Sequence, residues 1–72
     1  MGVKKHSVSI RGHRTSISLE PAFFAEVERI ALERAMPVAA LIAEVDAGRS
    51  DESNLSSALR LLVLEDLKRS RS

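Results

Sequence analysis

The side chains best suited to chemistry in this sequence stand at every second position of Arg14-Thr15-Ser16-Ile17-Ser18-Leu19. Residues two apart along a strand project from one face, so this spacing lines up one guanidinium and two hydroxyls, Arg14, Ser16 and Ser18. A guanidinium is shaped to donate two parallel hydrogen bonds to a planar pair of acceptors, and a serine hydroxyl can donate or accept. Thr15, Ile17 and Leu19 take the opposite parity and would turn toward a core. Burying unpartnered hydroxyls costs about 1–3 kcal/mol each, which keeps Ser16 and Ser18 on the outer face.

Other chemistries are poorly provided for. The chain has no cysteine, which excludes disulfides and thiolate metal sites, and its two histidines are too few for a metal centre. His6, in a basic stretch, is expected at the surface or on the side of a phosphate. The sequence has no glycine-rich phosphate loop, no paired carboxylates flanking a pocket and no Ser or Cys nucleophile beside an obvious base. Neither an enzyme nor a cofactor is expected.

Charge is segregated along the 72 residues beneath a net charge of +1. Residues 1–19 hold Lys4, Lys5, Arg11 and Arg14 with no acid, a local +4, and Lys68, Arg69 and Arg71 make the last six residues +3. Residues 20–66 carry ten acids against Arg29, Arg34, Arg49 and Arg60, a local −6. A basic segment before an acidic body can aim a polyanion at one face and keep it off the rest.

The elements that would position these groups follow from periodicity. Ser7-Val8-Ser9-Ile10-Arg11 and Arg14 to Leu19 both alternate, with Gly12-His13 between them. The residues around Gly12 could close a hairpin, or residues 1–13 could form a basic arm that runs along a ligand. Glu20-Pro21 starts a helix to about Ala35, with Phe23, Phe24, Val27, Ile30 and Ala31 in one stripe. Met36-Pro37 breaks it, and a second helix follows with Val38, Leu41, Ile42 and Val45 inward and Gly48 as its C-terminal cap. A polar loop over 48–54 ends at Asn54, an N-cap for a third helix of about Leu55 to Arg69. Leu61, Leu64 and Leu67 lie off its main stripe of Leu55, Ala58, Leu59, Leu62 and Val63, which implies a further packing partner.

A chain of this length buries only about 60% of the surface its unfolded form exposes, so oligomerisation is the expected supplement to its core. No run approaches the roughly 18 apolar residues a membrane span needs, and no signal peptide is apparent, so a cytoplasmic protein is expected.

Strand, helix, short break, helix resembles the ribbon-helix-helix family of bacterial DNA-binding proteins, the Arc-like repressors. The resemblance covers Arg14 to about Ala47, through Leu19 at the strand end, Phe23, the stripe at Val27 and Ile30, and the turn into Leu41-Ile42. Gly12-His13-Arg14-Thr15-Ser16-Ile17-Ser18-Leu19-Glu20-Pro21-Ala22-Phe23-Phe24 and the third-helix opening Asn54-Leu55-Ser56-Ser57-Ala58-Leu59-Arg60 look more closely like a small subfamily of it.

The resemblance implies a mainly α fold: one N-terminal strand pairing across a homodimer, a ribbon-helix-helix core over 14–47, and an additional C-terminal helix with a basic tail over 55–72. It implies that the ribbon enters the DNA major groove, with Arg14, Ser16 and Ser18 contacting bases. Phosphate contacts fall to Lys4, Lys5 and Arg11 and, at the start of the second helix, to Val38 and Ala39. The dimer core would comprise Thr15, Ile17, Leu19, Phe23, Val27, Ile30, Leu41, Ile42 and Val45. The family's usual Gly at the position of Ala35 and Ser or Thr at that of Pro37 are missing here. Duplex DNA and a second copy are the implied partners, with dimers pairing into tetramers left open and a transcriptional regulator the implied role. The alternative is an antitoxin-like protein-interaction module that binds a protein partner through the third helix and DNA weakly or not at all.

Overall fold

The computed structural model describes residues 2–48 and 54–70, and the expected loop over 48–54 lies largely outside them. Two antiparallel strands lead into three helices: β1 (Lys4–Ile10), β2 (His13–Leu19), α1 (Pro21–Glu33), α2 (Val38–Gly48) and α3 (Leu55–Ser70).

β1 pairs with β2 in one continuous register, from Lys4 opposite Leu19 to Ile10 opposite His13. Only Arg11 and Gly12 connect them, and both have left-handed backbones, φ 52° and 80°. Two consecutive positive-φ residues give a turn whose twist matches that of the flanking strands. Of the two forms left open for residues 1–13, the chain takes the hairpin, with Lys4–Ile10 as its first strand. One expectation is corrected: the partner of β2 is β1 of the same chain, where the resemblance implied a strand from a second chain. Gly12 supplies one left-handed residue at no steric cost, and the two-residue link holds the strands together without association.

The ribbon's inner face carries Ile10, Ile17 and Leu19 into the core, with Val8 and Thr15 half-buried. His6 also lies on this face: its ring stacks on Phe24 at 3.9 Å and its Nε2 is buried without a hydrogen-bond partner. The surface position expected for His6 is therefore wrong, because alternation in β1 puts it on the same side as Val8 and Ile10.

Val27, Ile30 and Ala31 of α1, Leu41 and Ile42 of α2, and Leu59 and Val63 of α3 complete the core. Of the residues expected to hold a dimer, Ile17, Leu19, Val27, Ile30, Leu41 and Ile42 are buried within a single chain, and Thr15, Phe23 and Val45 are half-buried. The third helix makes this closure, since Leu59 and Val63 cover apolar surface that a partner would otherwise have to cover.

Local chemistry sets the helix ends. Pro21 occupies the first turn of α1. At the other end the Met36 amide donates to Ala31 O and the Ala35 amide to Leu32 O, both at 3.0 Å, with Ala35 at φ 55°. This pair of bonds is a Schellman closure, in which glycine normally takes the left-handed position. Asn54 caps α3 through Oδ1, which accepts from the Ser57 amide at 2.7 Å.

Candidate nucleic-acid interface

The register places Lys5 opposite Ser18, Ser7 opposite Ser16 and Ser9 opposite Arg14. All six are exposed, on the face of the ribbon turned away from the helices. Arg14, Ser16 and Ser18 therefore share one outward row, as their spacing predicts, and β1 adds a parallel row that the sequence reading did not put beside it. The unused signal was the spacing of Lys5, Ser7 and Ser9, a base and two serines two residues apart, which repeats that of Arg14, Ser16 and Ser18. Neither strand contains an acid.

The fold fixes this face from behind and from one side. Ile17 and Leu19 anchor β2 in the core. At the free edge of β2 the Ser18 amide donates to Ser56 Oγ of α3 at 3.2 Å. Glu20, which joins β2 to α1, accepts from Arg60 of α3, with Nε at 3.0 Å and a second nitrogen at 2.9 Å. A hydrogen bond from the backbone of Glu20 first, and then Arg60, holds its carboxyl below the usual carboxylate range.

Positive charge is distributed unevenly. Arg29 on α1 is engaged by Glu26 at 2.7 Å, Glu33 at 2.9 Å and Asp66 of α3 at 2.8 Å. Those hydrogen bonds, Asp66's foremost, raise its pKa above the usual guanidinium range. Among the described residues Lys4, Lys5, Arg11 and Arg14 form no salt bridge. Arg29 and Arg60 of the helices are thus held by carboxylates, whereas Lys4, Lys5, Arg11 and Arg14 of the ribbon are not.

At the tip of the hairpin Arg11, His13 and Arg14 line a cleft of about 400 Å³ with Ser16, Asp46 of α2 and Leu55 of α3. Lys4 lies at the opposite end of the ribbon, opposite Leu19. Val38 and Ala39 form the first turn of α2, where Pro37 O accepts from the Ala40 and Leu41 amides. The Val38 and Ala39 amides take no part in the backbone bonds that close this turn, and such amides attract anions.

A second surface lies on α3. Leu61, Leu64 and Leu67 are 60%, 50% and 42% exposed. With Phe23, Ser57, Arg60 and Val63 they line a predominantly apolar groove of about 510 Å³. The stripe off the main face of α3 is therefore open in the single chain. Among the described residues there is no cluster of three or more metal-ligating side chains, and no described helix is long and apolar enough to cross a membrane.

The model of one protein family, described as "Ribbon-helix-helix domain", matches residues 3–67, which include both strands and most of α3. No curated protein and no solved structure matches the chain.

Proposed function

Because the chain belongs to the ribbon-helix-helix family, whose members generally bind DNA and regulate transcription, we propose that it binds duplex DNA sequence-specifically as a homodimeric transcriptional regulator. The observation that carries this reading is the outer ribbon face, where Arg14, Ser16 and Ser18 are exposed on a strand pair without acids. The major groove, about 12 Å wide, admits a two-stranded ribbon, and its base edges present the acceptor pairs that a guanidinium and hydroxyls can read. Lys4, Lys5 and Arg11 add sequence-independent attraction to phosphate. The Val38 and Ala39 amides offer a second phosphate anchor, supported by their place at the α2 N-terminus.

Family members typically bind DNA as dimers. In this chain the ribbon does not need a second copy, so the homodimer rests on the exposed leucines of α3. A two-fold association brings one patch against itself, and Leu61, Leu64 and Leu67 form such a patch. The same leucines favour the alternative reading, in which α3 takes up a different protein.

Titrating labelled duplex DNA with the purified protein over a series of salt concentrations tests the reading. Binding should weaken steeply with salt, each phosphate contact contributing about −0.9 to the slope of log K against log salt. Arg14→Ala should flatten discrimination between sequences more than it weakens non-specific binding. Absence of binding at low salt, or a slope near zero, would sink the proposal.

A further inference from the structure

The two strands repeat each other. Lys5-His6-Ser7-Val8-Ser9-Ile10 and Arg14-Thr15-Ser16-Ile17-Ser18-Leu19 both run base, any residue, serine, aliphatic, serine, aliphatic, at an offset of nine residues. The register converts this repeat into local symmetry. With Lys5 opposite Ser18, Ser7 opposite Ser16 and Ser9 opposite Arg14, a two-fold axis between Ser7 and Ser16 exchanges Lys5 with Arg14 and Ser9 with Ser18. The same axis exchanges His6 with Thr15, Val8 with Ile17 and Ile10 with Leu19 on the inner face.

We infer that one chain presents a complete, pseudo-symmetric reading ribbon, in which Lys5, Ser7 and Ser9 contact bases of duplex DNA alongside Arg14, Ser16 and Ser18. This rests on the DNA-binding reading above, extends it to a strand with no assigned base contacts, and moves Lys5 from the phosphate to the base edges, leaving Lys4 and Arg11 for phosphate. A row of three outward residues spans four residue steps, about 13 Å at a strand's rise, or on the order of four base-pair steps at 3.4 Å each. The cations fall at opposite ends of the face, Lys5 near the ribbon base and Arg14 near its tip. Both Lys and Arg suit guanine O6 and N7, so each end of the element prefers a guanine, and the pseudo-two-fold places the two guanines on opposite DNA strands. A single chain then reads a short, nearly palindromic element, and a dimer reads two.

Selection of bound duplexes from a random pool, run in parallel with the unaltered protein, Lys5→Ala, Arg14→Ala and Lys5→Arg, tests this. The unaltered protein should select an element with a guanine at each end. Lys5→Ala should lose about tenfold preference at one end only, Arg14→Ala should lose it at the other, and Lys5→Arg should keep both. If Arg14→Ala abolishes preference at both ends while Lys5→Ala lowers affinity equally for all sequences, β1 only supports β2 and the inference is overturned, though DNA binding stands. If the unaltered protein binds no duplex, both readings fail together.

Discussion

Single residues in this chain carry strain that the fold tolerates. Ala35 closes α1 in a left-handed conformation, φ 55°, which costs an L-residue roughly 1–2 kcal/mol. Glycine removes that cost and returns about 0.5–1 kcal/mol of it through its greater freedom in the unfolded chain. Ala35→Gly is therefore expected to stabilise the protein by up to about 1 kcal/mol, a rise of a few degrees in Tm for a domain of this size. Thermal unfolding followed by circular dichroism checks it, and a lowered midpoint would mean that the Ala35 methyl contributes more than the strain costs. The missing family glycine at Ala35 was legible in the sequence, and this is the left-handed position. That His6 stacks on Phe24 was not, because sequence proximity to Lys4 and Lys5 says nothing of which face a strand turns inward.

Between elements, the junction of ribbon and helices is held by polar contacts around α3. Arg60 reaches Glu20 at the β2–α1 link, and Arg29 of α1 reaches Asp66 of α3. Glu20 titrates below the usual carboxylate range in the folded chain, so on acidification the unfolded chain binds its proton first. Stability from this contact is thus fully present above the ordinary glutamate range and is lost as pH falls through the lowered folded value. Glu20→Gln should remove part of the rise in Tm with pH across mildly acidic solution. An unchanged profile would show that Glu20 is not among the groups that set it. Helix starts at Pro21 and Asn54 were legible because capping and proline chemistry act within a few residues, whereas the Glu20–Arg60 pair joins positions forty apart.

For the whole molecule, the enclosure of Leu59 and Val63 completes a core within one chain and leaves Leu61, Leu64 and Leu67 exposed, the stripe on which the proposed homodimer rests. Leu64→Asp places a charge at the middle of that stripe. The unaltered protein should sediment as a dimer at micromolar concentration, and the variant as a monomer with the same far-ultraviolet circular dichroism. If the unaltered protein is itself a monomer, the homodimer is removed and the hairpin is untouched, because the ribbon is closed within the chain.

The sequence by itself determined β2, the three helices and their inward faces. Alternation over Arg14 to Leu19 and the stripe through Phe23, Val27 and Ile30 are local periodicities, imposed by backbone geometry whatever the rest of the chain does. Which strand pairs with which was decided only by tertiary structure. Ile10-Arg11-Gly12-His13 lacks the asparagine or aspartate before glycine that signals a tight hairpin, so its two alternating segments were equally compatible with a hairpin or with an arm beside a two-chain ribbon. Folding selects the hairpin because closing a two-residue link costs little chain entropy, and because Ile10, Ile17 and Leu19 are buried together when β1 and β2 lie side by side.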